Sequence, residues 1–352
     1  MQILTADADI PPETPPEEES GGVRIRRLRV SQRWGHWVRC PDLKSELPRG
    51  EFDVIHANGY RNYFTEVAAA SCRKNNTPLV ITPAGSLLGY KYASQGLLHT
   101  LPNVVFDAVT QRRALRGAIL IPTSAAEAIE AEALGVPRER IRIIPHGVDF
   151  ARLPRPPTRD VEGGERLLTV GRITEARNLK FLLRGFAQAL RKRPSLKLSV
   201  VGDHIPGQYN VRERRYPSEV GRLAKELGVN NQVVFHGGLY GPPLWQAYAE
   251  HDVFVYTSRH DNFGYALVEA AYFGLPIIST KVGVAADLVQ DGKGGFLVNQ
   301  NNHIQLAAAI LRASSDPQWR ASAAGFLREK CKGYALETDV IAHEDLYRSL
   351  QP

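Results

Sequence analysis

Only three cysteines occur in the 352 residues, Cys40, Cys72 and Cys331. They stand far apart and without metal-ligand spacing, which excludes a disulfide scaffold or a cysteine-built metal centre and suits a reduced, cytoplasmic setting. No run approaches the roughly 18 apolar residues that a membrane-spanning helix needs. The first residues do not read as a signal peptide. No G-x-G-x-x-G follows any candidate strand, so the nicotinamide dinucleotide fingerprint is missing. No basic run is interleaved with aromatics as in RNA-binding modules, and nucleic acid is not an expected partner. No metal-ligating cluster is visible either, so neither a metal nor a resident cofactor is expected. What remains is an ordinary soluble composition, 43% hydrophobic and 23% charged, long enough for two cores. The net charge of +7 suits an anionic ligand or a membrane surface.

Short apolar segments alternate with helical ones. In the first half the strand candidates are Gln2–Thr5, Val23–Arg27, Asp53–His56, Leu79–Thr82, Ile119–Pro122 and Ile141–Ile144, with helical stretches at Thr65–Cys72 and Ala125–Leu134. The pattern stops between Asp149 and Glu165, where Pro154, Pro156, Pro157, Gly163 and Gly164 mark a linker. It restarts with Leu167–Val170, Lys197–Val201, Val233–His236, Val253–Tyr256, Pro276–Ser279 and Phe296–Val298. Such alternation predicts an α/β chain of two doubly wound parallel sheets covered on both faces. The boundaries read as a first domain over 1–153, a linker over 154–165, a second domain over 166–334 and a closing helix within 335–352.

The most informative stretch is Ser258–Pro276, SRHDNFGYALVEAAYFGLP. It reads as a strand–loop–helix unit whose helix begins near Gly264, where free N–H groups and the positive dipole end suit a phosphate. Asp261 lies in the loop and Glu269 stands eight residues on, about one and a half turns into the helix. Two acids at that offset are arranged along one elongated ligand and are not paired for acid/base work. Gly171-Arg172 ends another strand, and the loop to a helix at Asn178–Leu190 brings Arg172 and Arg177 to the same side. Two guanidiniums suit a diphosphate, since each contact at about 4 Å gives roughly 4 kcal/mol before desolvation.

This segment resembles the acid–seven–acid motif of the retaining family 4 glycosyltransferases (glycosyl transferases group 1), GT-B enzymes that use nucleotide-sugar donors. The resemblance implies that Asp261 faces the donor sugar and that the turn Asn262, Phe263 and Gly264 holds the diphosphate. It implies that Glu269 binds the ribose, while Gly171, Arg172 and Arg177 lie at the diphosphate, with Arg177 standing where the family usually has Lys. Asp261, Arg172 and Arg177 are then the catalytic candidates. The implied reaction is front-side displacement with retention, without a metal, from a UDP- or GDP-linked sugar to a carbohydrate or lipid-linked acceptor. Pro145-His146-Gly147-Val148-Asp149 and Val233–Gly238 match further family segments, and the last helix, Glu337–Leu350, is expected to cross back to the first domain.

Four departures stand beside the match. Ala84 replaces a His at the sugar's edge, Asn58 stands where a second His follows His56, and Asp261 replaces Glu. Met1–Asp7 resembles the family's second strand, so the first strand, Gly-rich loop and first helix are expected to be missing, the alternative being that Met1–Thr5 is the fold's own first strand in a divergent protein; Asp9–Ser20 is expected to be a loop. These departures keep open an alternative, a degenerate non-catalytic nucleotide-sugar binder or partner subunit. A basic helix carrying Arg112, Arg113 and Arg116 keeps open a peripheral contact with the inner membrane face.

Overall fold

The computed structural model describes residues 1–34, 37–47, 52–88, 115, 117–157, 163–203 and 211–351. The basic cluster Arg112, Arg113 and Arg116 lies outside the described residues. At the amino end β1 (Gln2–Ala6) runs parallel to β3 (Val23–Leu28), and β2 (Glu17–Ser20) returns antiparallel to β3. The end of the acidic segment expected to be a loop is therefore a strand. The cause is local: Gly21 and Gly22 both take the left-handed backbone that a two-residue hairpin turn demands. Glu17 and Glu18 then meet Arg26 and Arg27 as ion pairs.

A second hairpin joins β4 (Gln32–Trp34) to β5 (Trp37–Arg39). β6 (Ile55–Asn58), β7 (Leu79–Thr82) and β8 (Ile119–Leu120) form a parallel sheet, with helix Tyr63–Asn75 as the crossover between the first two. That helix starts where the Asn62 side chain accepts from Thr65 N–H at 2.8 Å, and it ends at Asn76 in the left-handed region. The described strands of the first half thus make two three-stranded sheets and a two-stranded hairpin where one sheet was expected. Leu28, Ala57, Leu79 and Ile81 nevertheless feed a single core. The expected strand Ile141–Ile144 is reduced to a bridge from Ile141 to Leu120, with Arg142 and Ile144 N–H donating to the Leu120 and Pro122 carbonyls at 2.9 and 3.1 Å; Ile144 is buried while Ile143 is 46% exposed.

The second half follows the sequence reading closely. β9 (Arg166–Val170), β10 (Lys197–Val201), β11 (Val233–Gly237), β12 (Val253–Tyr256), β13 (Ile277–Thr280), β14 (Gln290–Asp291) and β15 (Gly294–Val298) form one parallel sheet. Its order is β11-β10-β9-β12-β13-β15-β14. Alternate residues enter opposite cores, Leu167, Val253 and Val255 on one face and Leu168, Phe254 and Tyr256 on the other. Burial on both faces is why these strands read as unbroken apolar runs. The chain winds from β9 outward to β11, then returns to the other side of β9 as β12. That reversal sets the place of the site.

The final helix, Leu336–Ser349, packs on the first half through Leu346, which joins Val80, Ile121 and Ile144. Its polar clasp is compact. His56 lies 2.5 Å from the Tyr347 hydroxyl and 2.7 Å from Thr82 Oγ1, its ring stacks on His343, and Asp339 accepts from Gly147 N–H at 2.9 Å. Burial, and after it the neighbouring His343, hold the His56 imidazole down to about 4 from 6.5. Between those values an unfolded chain takes up a proton that the fold refuses. Stability therefore falls as pH drops below about 6.5, and the His56 contribution is lost by about pH 4. The difference is worth on the order of 3 kcal/mol. Urea unfolding between pH 7 and pH 4 is expected to show the wild type losing that much more stability than His56→Gln. Parallel losses in the two proteins would refute the assignment.

Candidate active site

Where strand order reverses, between β9 and β12, the carboxyl ends of the strands leave a crevice of the kind in which open α/β sheets take up ligands. β9 delivers Gly171 and Arg172 there, then a single 3-10 turn, Glu175–Arg177. β12 delivers the loop that ends at Gly264 and feeds helix Tyr265–Tyr272. The two loops are laced together: Arg259 N–H donates to the Ala176 carbonyl at 2.7 Å, and Thr257 Oγ1 donates to the Arg177 carbonyl at 3.2 Å. A small cavity between them is lined by Thr169, Gly171, Arg177, Tyr256 and Ser258.

The structure joins two residues that the sequence reading treated as separate contacts. The Arg177 guanidinium donates to Asp261 Oδ2 and to the Tyr256 hydroxyl, and reaches Ser258 Oγ at 3.0 Å. It also lies over the Tyr256 ring. Burial pushes the Asp261 carboxyl up, but the charge of Arg177 and hydrogen bonds from Arg177, Tyr256 and the Phe263 N–H outweigh it, so the group sits below the ordinary carboxylate value. Asp261 is therefore an anchored anion that organises its own loop. Arg172 is exposed at the end of β9. Glu269, half-buried on the helix, accepts from the Tyr248 hydroxyl at 2.7 Å, and burial raises its carboxyl above the ordinary value.

Gly264 is required by geometry. Its φ of +90° is left-handed, and a Cβ there would approach Leu267 Cδ1 to 2.9 Å. The preceding Phe263 is buried against His146 and Tyr265, with ring centroids 5.3 and 4.8 Å away. This is how the His146–Asp149 segment supports the site. The carbonyls of Asp261 and Phe263 accept from Gly283 and Val284 N–H at 3.0 and 2.9 Å. Asn262 faces the first half: its carbonyl accepts from Ser124 Oγ at 2.6 Å, and its side chain lies 3.1 Å from where a Cβ on Gly85 would stand. Ala84, beside it, is exposed and left-handed at φ +51°. Asn58 is exposed, and His56 is committed to the Tyr347 clasp.

Sequence reasoning missed Tyr256, Ser258, Tyr248, Ser124, Glu127, Glu130 and His260. One signal was available. Ser124-Ala125-Ala126-Glu127 is a capping-box pattern, and the Ser124 hydroxyl does cap helix Ala125–Ala133 by accepting from Glu127 N–H. The Glu127 carboxylate, however, turns to the Gly85 and Thr123 N–H groups. Among the described residues no group of His, Cys, Asp and Glu is arranged to hold a metal ion, and no helix is long and apolar enough to cross a membrane.

Comparison with known proteins follows the same lines. Residues 154–335 match the family model described as glycosyl transferases group 1, and residues 1–147 match a glycosyl transferase 4-like domain. The D-inositol 3-phosphate glycosyltransferase of Nocardiopsis dassonvillei is 30% identical over 217 residues, covering 60% of this chain and 50% of that protein. The chain spans about half the length of the first curated relatives it matches. Anabaena HepE in complex with UDP superposes with a TM-score of 0.72 at 22% identity, over 93% of this chain and 85% of that one. Sucrose-phosphate synthase from Thermosynechococcus elongatus gives a TM-score of 0.72 at 22% identity, over 99% and 88%. The fold is GT-B.

Proposed function

This chain belongs to the glycosyl transferases group 1, and from that premise we propose that it moves a sugar from a UDP- or GDP-linked donor to an acceptor hydroxyl with retention of configuration. The observation that carries the reading is the convergence of Arg172, Arg177, Asp261, Gly264 and the Glu269 helix at one crevice. In this reading residues 1–153 form the acceptor side and residues 166–334 the donor side, joined by the linker over 154–165. Gly171, Arg172, Arg177 and the turn Asn262–Gly264 meet the diphosphate, and Glu269 meets the ribose. As the bond from the anomeric carbon to the diphosphate breaks, the acceptor oxygen bonds on the same face. Its proton passes to the departing phosphate oxygen. Positive charge at Arg172 and Arg177 stabilises the leaving group, which is electrostatic catalysis.

The alternative, a nucleotide-sugar binder without turnover, draws on Ala84, which offers only a methyl group at the expected sugar edge. Calorimetry with UDP and GDP beside transfer and donor-hydrolysis assays separates the two. The acceptors tried should include D-inositol 3-phosphate, named for the relatives. Binding with turnover is expected, and binding without turnover would favour the alternative. Arg172→Ala supplies the sharper test. Arg172 is exposed, so stability should change by no more than about 0.5 kcal/mol. Loss of one charge-assisted contact of roughly 1.5–3 kcal/mol should lower kcat/KM about 10- to 150-fold. Unchanged kinetics in that variant would overturn the assignment.

A further inference from the structure

The donor loop is held from both halves of the chain, and the second hold is not accounted for by ligand chemistry. On one side Arg177 and Tyr256 grip Asp261. On the other, helix Ala125–Ala133 reaches across. Ser124 Oγ, at its start, donates to the Asn262 carbonyl at 2.6 Å. Glu130, farther along, has its two carboxylate oxygens in different loops: Oε1 lies 2.9 Å from His260 Nε2, and Oε2 accepts from Leu88 N–H at 2.8 Å. Glu127, one turn earlier on the same face, accepts from Gly85 N–H at 2.6 Å. One helix therefore ties the Pro83–Leu88 loop to the loop carrying Asp261. The pair is sheltered, with His260 19% and Glu130 15% exposed, so water screens it less than a surface ion pair.

We infer that His260 and Glu130 are positioning residues, a latch that holds the donor loop in its working geometry when the two halves meet. This rests on the transferase reading above. Neither side chain needs to touch the donor. His260 immediately precedes Asp261, and fixing its ring fixes the backbone from which the Asp261 carboxylate and the Phe263–Gly264 turn project. Because the same Glu130 carboxylate binds Leu88 N–H, the latch also sets the distance between the Ala84–Gly85 turn and Asn262. The two residues should then act as a unit, with the second substitution adding nothing once the first has opened the latch.

The test compares wild type, Glu130→Gln, His260→Gln and the double variant in steady-state kinetics, with the radius of gyration of each measured by X-ray scattering. Each single variant is expected to lose five- to tenfold in kcat at saturating donor, and the double variant no more than either. All three should show a larger radius than wild type. Singles that match wild type in kcat, or losses that multiply in the double variant, would overturn the latch. A purely structural role would lower the melting temperature and leave kcat per folded molecule unchanged. If the wild type itself turns over no donor, the transferase reading fails. The latch is then judged on scattering alone, where an unchanged radius in the double variant refutes it.

Discussion

Replacing Arg177 with alanine should cost both the fold and the chemistry, and the two losses can be separated. The Asp261 side chain is only 11% exposed and shares Oδ2 with the Arg177 guanidinium and the Tyr256 hydroxyl. Removing the cation leaves a desolvated carboxylate with two neutral donors, Tyr256 and the Phe263 N–H. Breaking a buried pair from one side typically costs about 3–5 kcal/mol. The carboxyl, released from the charge that holds it low, should titrate higher than in the wild type, so part of the variant's stability deficit should be regained as pH falls and the carboxyl takes up a proton. If Arg177 stabilises a leaving diphosphate as proposed, turnover should fall by about 10²–10³, and further where the loop disorders.

Adding Asp261→Asn to Arg177→Ala removes the stranded charge. Urea denaturation should then recover most of the stability, while turnover stays low. Arg177→Lys keeps the charge, but it loses the planar guanidinium that lies over the Tyr256 ring while one of its nitrogens, Nη1, meets Asp261, Tyr256 and Ser258. Its turnover should lie between wild type and alanine. An alanine variant as stable and as active as wild type would contradict the geometry described here.

That pair also marks how far the sequence could be read. Six of the seven strands of the main sheet were legible, most plainly where burial on both faces writes itself as an apolar run, as in Val253–Tyr256, whereas the two-residue β14 was not. The switch point followed, because strand order in a doubly wound sheet dictates where the loops gather. The direct bond between Arg177 and Asp261 was not legible. Eighty-four residues separate them, and residue type alone suits each equally well for a ligand or for the other. Tyr248 at Glu269 and Glu130 at His260 escaped for the same reason, since a long-range polar contact leaves no local pattern. The end of the Asp9–Ser20 segment, Glu17–Ser20, was misjudged because the family resemblance implied a loop there, although the Gly21-Gly22 dipeptide after it carried the hairpin signal. Ile141–Ile144 was misjudged in the opposite direction. Apolar content suggested a full strand, but the segment pairs only through the Ile141–Leu120 bridge and two N–H bonds, from Arg142 to the Leu120 carbonyl and from Ile144 to the Pro122 carbonyl.

Gly202 offers a prediction that depends on backbone alone. β9 and β10 run side by side to Val170 and Val201, and the chains then cross closely enough that a Cβ on Gly202 would stand 1.9 Å from the Gly171 carbonyl oxygen. Gly171 N–H already donates to the Val201 carbonyl at 2.9 Å, and Gly202 N–H to the Gly237 carbonyl at 2.8 Å. Neither backbone can give way without breaking a ladder bond. Gly202→Ala combines that overlap with an unfavourable φ of +151°, and should cost about 3–5 kcal/mol. The displaced carbonyl belongs to the residue before Arg172, so the molecules that still fold should also bind donor more weakly. Gly221→Ala is the matched control. Gly221 lies within helix Val211–Glu226 with nothing inside 4 Å of a Cβ, so the same added methyl should stabilise by about 0.5–1 kcal/mol. Denaturation midpoints that move in opposite directions in these two variants would locate the effect at the β9–β10 crossing. Equal and small shifts would mean that the strands do not approach so closely, and that the site's basic edge is not set by the backbone.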